Sequence, residues 1–355
     1  MNSRALPLSI GRVAAFRRAL LTWYDHNRRD LPWRQGRDPY RVWVSEIMLQ
    51  QTRVAAVLDH YARFLKRFPT VQALASAREA SVLAIWSGLG YYHRARRMHQ
   101  AAKLIVSERG GQFPQMSEEW RGLPGIGRYT AAAIASIVLG EAVAVVDGNV
   151  ERVLQRLAGN PAETQVSPTE GRALRQAQGR LRGTEAQGRE AAWRQAEALL
   201  DRVRPGDFNQ AMMELGATIC TPRAPQCLLC PVNAFCLSRG AERPQSQPPR
   251  KRKAVHYALT RKNSSVLLVR RPVESSLMAG MWELPALEPS LDNGNEPLLR
   301  TRHSITDTDY QVAVFAVSSD RLTGAGAETR WVTPQQWKRL PLTGLTRKIL
   351  RCLAL

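Results

Sequence analysis

Leu-Pro-Gly-Ile-Gly-Arg-Tyr-Thr, residues 123–130, is the stretch from which the fold of this chain is read. It follows a short helix expected to begin near Ser117, and it opens an alanine-rich helix over Ala131 to Leu139. A tight turn holding Gly125 and Gly127 between two short helices exposes backbone N–H groups at a helix N-terminus, which is a phosphate site. The segment therefore has the form of a helix–hairpin–helix clamp for a DNA backbone. In isolation a G-x-G turn is more often plain connection. Its setting is what favours the clamp: 51 Lys and Arg face 30 Asp and Glu, a formal charge of +21, which makes nucleic acid the default partner. A basic surface kept only for solubility rarely needs that much charge of one sign.

Working outward, the 355 residues are 44% hydrophobic, enough for two or three domains with real cores, and a mainly disordered state is excluded. Phe16, Leu20, Trp23 and Tyr24 recur at helical spacing, so the N-terminus reads as a folded helix and not as a signal peptide. No apolar run approaches the ~20 residues that span a bilayer. A cytoplasmic, nucleoid-associated protein without membrane contact is expected. From Ile10 to about Leu237 apolar residues return every three or four positions, as in Val54, Val57, Leu58, Tyr61 and Leu65, so this region is mostly helical. Residues 167–187 are rich in Arg, Gln and Gly without an apolar stripe and are expected to loop out. Residues 238–253 contain proline and end in four basic residues, the composition of a connector. Beyond it Tyr257–Leu259, Ser265–Val269 and Tyr310–Val317 are β-rich, and Thr333 and Thr343 are helix N-cap signals, so 254–355 reads as a small α+β domain.

Two carboxylates stand out in the helical region. Asp147 follows the apolar run Val143 to Val146 and precedes a helix resumed by Val150, Val153 and Leu154, the position of an N-cap. The structural role alone would explain it, yet a fixed, ionised carboxylate is also what stabilising a cationic sugar requires. Asp38-Pro39 starts another helix in which Glu46 is the only acid, with Leu49 and Gln50 on its face. A lone Glu on a helix is usually solvated; one walled by Trp43, Ile47 and Leu49 would have a raised pKa and could serve as a general acid.

Cys220, Cys227, Cys230 and Cys236 are spaced C-x6-C-x2-C-x5-C. Four such thiols bind a metal or pair as disulfides, and nothing else here suggests an oxidising compartment. One C-x2-C flanked by single cysteines, with Pro231 after the third, favours a [4Fe–4S] cluster over zinc. A closed set of four thiolates leaves no position for substrate, so the role is architectural, and Arg223 in the loop between the first two ligands is placed to meet phosphate. Cys352 reads as a small apolar residue of a final helix.

Taken together, LPWR (31–34), WVSEIMLQQT (43–52), GLGYYHRARR (88–97), LPGIGRYTA (123–131), VDGNVERV (146–153), FNQAMMELGA (208–217) and the cysteine run resemble the adenine DNA glycosylases of the MutY type, over nearly the whole chain. The resemblance implies a mainly α catalytic region over 1–237 with the endonuclease III-like fold. In it a six-helix barrel (about 30–142) packs on an iron–sulfur helical domain (1–29 and 143–237). A connector (238–253) and a C-terminal α+β Nudix-like domain (254–355) follow. It implies one [4Fe–4S] cluster on the four cysteines, a monomer, and double-stranded DNA containing A:8-oxoguanine or A:G mismatches as partner. It makes Glu46 the acid that protonates the flipped adenine and Asp147 the carboxylate that stabilises the sugar cation, with Tyr129 and Asn149 in support. Arg29, Leu31, Trp33, Arg34 and Gln210 match positions lining the adenine pocket, while Leu49, Gln50 and Tyr91 match residues that fill or wedge the opened duplex. Plain core packing is the other reading of Trp33 and Tyr91, and the expected one for Trp43 and Trp86.

Related bifunctional glycosylases carry a lysine where this chain has Tyr129, so a monofunctional enzyme is expected. The C-terminal region resembles the part that recognises 8-oxoguanine but lacks a Nudix box, which argues against nucleotide hydrolysis. His303-Ser304-Ile305 aligns with a Phe-Ser-His loop of the family, keeping Ser304 and losing both neighbours. The competing readings are a thymine mismatch glycosylase, opposed by Glu46 and the C-terminal domain, and a non-catalytic iron–sulfur DNA-binding module, which would not need Glu46 and Asp147.

Overall fold

The computed structural model describes residues 10–159, 175–239, 250–272, 274–275, 278–288, 296–305, 308–319 and 328–354, with the backbone alone over 175–186. Its helices run in the order α1 (Ile10–Asn27), α2 (Pro39–Leu49), α3 (Val54–Arg67), α4 (Val71–Ala75), α5 (Glu79–Trp86), α6 (His93–Arg109), α7 (Ser117–Arg121), α8 (Arg128–Ile134), α9 (Gly148–Leu157), α10 (Arg175–Leu199) and α11 (Pro205–Thr218). After them come β1 (Lys251–Leu259), β2 (Arg261–Lys262), β3 (Ser265–Arg270), β4 (Trp282–Glu283), β5 (Ala286–Leu287), β6 (Leu299–Ile305), β7 (Thr308–Ala316), β8 (Thr329–Val332), α12 (Pro334–Trp337) and α13 (Gly344–Cys352). Packing separates the chain into two compact units, Met1–Glu46 with Phe113–Ser246, and Ile47–Gln112 with Gln247–Leu355.

The first unit is built on α11. Its Phe208, Met212 and Leu215 meet Phe16, Leu20 and Tyr24 of α1, Val150, Val153 and Leu154 of α9, and Trp193, Ala196 and Leu199 of α10. Each large apolar side chain removed from water contributes about 1.5–3 kcal/mol, so the amphipathic faces suffice to hold these helices together. A second, aromatic group anchors the start of α2: Trp43 lies 6.0 Å from Trp120, and Trp120 stacks on Phe113 at 5.7 Å. The start of α2 follows its sequence: Asp38 Oδ1 accepts from the N–H groups of Tyr40 and Arg41 at 2.8 and 3.1 Å, and Pro39 sits at the first position, where its missing N–H costs nothing. After α8 the helix widens into a π turn over Ala135–Leu139 and ends at Gly140.

The second unit joins α3 to α6 to the C-terminal α+β region. One sheet has the order β5-β1-β7-β6, with β1 and β7 parallel; in the other, β3 pairs with β2, β4 and β8. The core between them is made by Leu259, Leu268, Leu284, Val314, Val332 and Trp337 with Leu345, Ile349 and Leu350 of α13. Thr333 caps α12 through a capping box, and Thr343 Oγ1 accepts from the Thr346 N–H at 3.3 Å at the start of α13.

Some expectations are corrected. Residues 175–187, expected to loop out, form the first half of α10, because Arg, Gln, Ala, Leu and Glu are strong helix formers and need no apolar stripe of their own when the helix docks through its second half. Residues 167–174 lie outside the described residues, as do 240–249 of the expected connector. Its last three residues, Lys251 to Lys253, are strand, because β7 supplies their pairing at Thr308 to Tyr310 while the charged side chains stay exposed. Cys352 lies in the final helix as expected but is exposed, not packed. On α3 the buried face is Val57, Tyr61 and Phe64, and Leu58 is exposed.

Candidate active site

Glu46 sits near the end of α2, only 6% exposed, with Trp43 and Ile47 buried beside it. The Tyr129 hydroxyl, carried one residue into α8, donates to Glu46 Oε2 at 2.9 Å, with Met213 Sδ at 3.1 Å. Burial pushes the Glu46 carboxyl up to about 7; the Tyr129 hydrogen bond and the Arg34 charge pull the other way, and the negative charge of Asp147 adds to the rise. Loss of water thus outweighs the favourable partners. Tyr129 itself is driven well above its ordinary range by burial and by the Glu46 and Asp147 charges, so it remains a hydroxyl donor.

Asp147 is the N-cap of α9. Its Oδ1 accepts from the Val150 N–H at 2.7 Å, and its Oδ2 accepts from Asn149 Nδ2 at 2.9 Å. Asn149 is held in turn by Arg152, whose Nη2 donates to Asn149 Oδ1 at 3.0 Å and to the Gly216 carbonyl at 2.7 Å, and whose Nε donates to the Cys220 carbonyl at 2.9 Å. A chain of hydrogen bonds therefore links the Asp147 carboxylate to the end of α11 and the first cysteine. Gly216 makes room for it: a Cβ there would stand 2.7 Å from Asn149 Cβ and 2.9 Å from the Asn149 carbonyl oxygen.

Beside this group the buried Glu214 of α11 receives Arg29 Nε at 2.6 Å, Arg29 Nη2 at 2.9 Å and Arg34 Nη2 at 2.8 Å. Burial alone would raise the Glu214 pKa, but the two guanidinium partners outweigh it and hold the carboxyl below its usual value. Arg34 also donates to the Arg29 carbonyl at 3.1 Å and covers the Tyr24 ring at 5.6 Å. The segment carrying Leu31 and Trp33, both buried, is thereby pinned to α11, where Gln210 is half-buried. Gly125 takes a φ of +80° in the turn before α8, and Gly127 is the residue at its N-cap.

The four cysteines are free of disulfides and half-buried. Burial raises the Cys230 thiol to about 11, and the charges of Cys220, Cys236 and Cys227 add to the rise. Arg156 anchors the loop, donating from Nη1 to Cys220 Sγ at 3.3 Å and to the Thr221 carbonyl at 2.8 Å. The donor set, four soft thiols with a guanidinium at one sulfur, fits an iron–sulfur group. Among the described residues no group of three or more His, Cys, Asp or Glu is disposed to hold a metal ion.

Residues 44–177 match the family described as HhH-GPD superfamily base excision DNA repair protein, and 255–352 match the NUDIX domain. The adenine DNA glycosylase of Homo sapiens is 34% identical over 99% of this chain and 76% of its own length, and that of Mus musculus 36% identical over 96% and 78%. The chain belongs to the adenine DNA glycosylase family. A thermostable thymine-DNA glycosylase is similar in structure, with a TM-score of 0.53 and 26% identity, covering 65% of this chain and 97% of its own. Endonuclease III in a non-covalent DNA complex shares the fold, with a TM-score of 0.52 at 18% identity over 66% of this chain and 98% of its own. The glycosylase thus has the endonuclease III-like fold with a C-terminal Nudix-like region, and it acts in base excision repair.

In the glycosylase, Glu46, Tyr129, Asp147 and Asn149 come together in the first unit, joined by Arg34 through its charge on Glu46. Leu49, Gln50 and Tyr91 belong to the second unit, and so does Ser304, whose Oγ donates to Asp309 Oδ1 at 2.6 Å. Trp43 and Trp86 are fully buried core residues, as expected. Glu214, Arg152 and Gly216 escaped the sequence reading. A signal existed for Glu214, the only acid between Asp207 and the cysteines on an otherwise apolar helix. None existed for Arg152, one basic residue among 51.

Proposed function

We propose that this glycosylase removes adenine paired with 8-oxoguanine or guanine from double-stranded DNA and leaves the strand intact. The observation that carries the reading is Glu46: a buried carboxyl with a pKa of about 7, fixed by a tyrosine hydroxyl and electrostatically coupled to a second carboxylate. At neutral pH a large fraction of Glu46 keeps its proton, and the base, once flipped from the stack, can receive it as the N-glycosidic bond breaks. Asp147, oriented by the Val150 N–H and Asn149, faces the cationic sugar that forms, and a water completes the hydrolysis. Arg29, Leu31, Trp33, Arg34 and Gln210 shape the adenine pocket. Leu49, Gln50 and Tyr91 enter the opened duplex, while Gly125 and Gly127 present backbone N–H groups to a phosphate. With Tyr129 in place of a lysine there is no amine at that position to form a Schiff base, which supports a monofunctional reaction.

The region 254–355 serves lesion recognition, with Ser304 as its contact, and 1–237 carries catalysis. Cys220, Cys227, Cys230 and Cys236 hold one [4Fe–4S] cluster that orders the loop against α9 and α11. Cys227→Ser should abolish the visible absorption of the cluster and weaken DNA binding. A Cys227→Ser protein that binds DNA normally but no longer excises adenine would contradict this architectural role.

Single-turnover assays on duplexes containing A opposite 8-oxoguanine, A opposite guanine and T opposite guanine test the whole reading. Adenine release from the first two and none of thymine is expected, without strand cleavage before alkali. Equal rates opposite both guanines would remove the lesion preference, and strand cleavage trapped by borohydride would remove the monofunctional assignment.

A further inference from the structure

We infer that Arg94 is a positioning residue for duplex opening, one guanidinium that holds together the two turns carrying Gln50 and Tyr91. This rests on the proposed entry of those side chains into the opened duplex. Arg94 is 5% exposed. Its Nη1 donates to the carbonyls of Ile47 at 2.7 Å, Met48 at 3.0 Å and Gln50, and its Nη2 to Thr52 Oγ1 at 3.1 Å and to the carbonyls of Leu89 at 3.4 Å and Gly90 at 3.3 Å. The guanidinium also covers the rings of Trp86 at 5.4 Å and Tyr91 at 5.5 Å. None of these hydrogen-bond acceptors is a carboxylate.

Burying a cation among neutral acceptors is unfavourable, and an apolar side chain would fill the same space more cheaply if packing were the only requirement. The fork geometry explains the choice. The carbonyls of Ile47 and Met48 are among those left without a helical partner at the end of α2, and one edge of the guanidinium caps them while the other reaches the Leu89-Gly90 turn. Both turns are strained at non-glycine residues: Gln51 has a φ of +54° and Tyr91 of +49°. Such conformations persist only where the surroundings over-determine them. Tyr91 is 36% exposed although aromatic, so the strain presents a ring to solvent instead of burying it. Arg94 bonds the backbone on both sides of this presentation. A lysine has a single charged nitrogen and could not span the two turns.

The experiment compares Arg94→Lys, Tyr91→Ala and Gln50→Ala with the unaltered protein in single-turnover excision. One substrate is a fully paired duplex with A opposite 8-oxoguanine; the other has the same pair set between mismatched neighbours, so that much of the opening cost is already met. All three variants are expected to lose roughly tenfold or more on the paired duplex, as the unstacking they assist is worth a few kcal/mol. On the pre-opened duplex most of that loss should be recovered, with the pH profile set by Glu46 unchanged. A merely structural role would slow both substrates alike, and equal losses of Arg94→Lys on the two duplexes, with Tyr91→Ala and Gln50→Ala recovering, would overturn the inference while leaving the wedge reading intact. If Tyr91→Ala and Gln50→Ala show no difference between substrates, the wedge reading falls and the inference with it. Should Arg94→Lys fail to fold, Thr52→Val removes one acceptor of the same guanidinium and is expected to show the same recovery in milder form; its absence would also overturn the inference.

Discussion

At Glu46 the same burial that would prepare the proposed general acid works against the fold. Its carboxyl holds a proton to about pH 7, whereas in the unfolded chain it ionises near its ordinary value of 4.5. Native stability from this group is therefore complete below pH 4.5, declines as pH rises toward 7, and stays low above it. Glu46→Gln removes that dependence and should raise stability at pH 8 by up to about 3 kcal/mol while abolishing excision, a separation readable from denaturant unfolding beside a kinetic assay. The unaltered enzyme should lose activity as pH rises through about 7. Tyr129→Phe deletes the hydrogen bond that favours the ionised carboxyl, so the alkaline limb of its pH–rate profile should move upward. A limb that stays fixed or moves down in Tyr129→Phe would mean that another group controls it.

Among the elements, α11 has the most to arrange. Its Asn209 accepts from the Val145 N–H at 3.3 Å and donates to Ser136 Oγ at 2.9 Å and to the Val143 carbonyl at 2.8 Å, which fixes the extended run that delivers Asp147. Gly216, two turns on, lets the start of α9 approach. In Gly216→Ala the added carbon meets backbone, so α9 must shift by several tenths of an ångström. Stability should fall by roughly 1–3 kcal/mol, and excision by about tenfold or more, since misplacement of an oriented carboxylate by an ångström costs on the order of a hundredfold. Gly216→Ala with unchanged single-turnover rates would show that Asp147 tolerates the displacement. What was legible here was local. The Asp38 and Asp147 caps and the glycine turn before α8 are each written within a dozen residues and the four-cysteine spacing within seventeen, and the structure bears out the two caps and the turn. Glu214 and Arg94 owe their character to partners far along the chain, Arg29 and Arg34 for the one, the end of α2 for the other; the apolar neighbours of Glu214 hint at its burial but not at its partners, and nothing beside Arg94 announces either. The helix over 175–187 and the strand at Lys251 to Lys253 went unread for the same reason: packing or pairing elsewhere decides them.

On the scale of the molecule, the second unit binds helices α3 to α6 and the C-terminal sheets into one body through a small buried latch. Ser87 Oγ donates to the Leu342 carbonyl at 2.7 Å and accepts from Arg347 Nε at 2.9 Å, while the Tyr92 hydroxyl lies 3.3 Å from the same carbonyl. Leu342 is bridged to Trp282 of β4, and Arg96 of α6 reaches both Glu79 and the Ala279 carbonyl. The loop holding Tyr91 lies in the chain between Ser87 and Arg94, so the proposed lesion recognition and the proposed duplex entry would be carried on one support. Ser87→Val deletes a donor and an acceptor inside this contact, taking the acceptor of Arg347 Nε, at about 1–3 kcal/mol for that buried group, and leaving the Leu342 carbonyl only the longer contact with the Tyr92 hydroxyl. Amide protection in β4, α13, α5 and α6 should then fall together in hydrogen exchange, while α9 and α11 of the first unit keep theirs. If protection falls in the C-terminal strands alone and α5 and α6 remain as protected as before, the latch does not join them, and the C-terminal region unfolds independently of the helices that carry Tyr91.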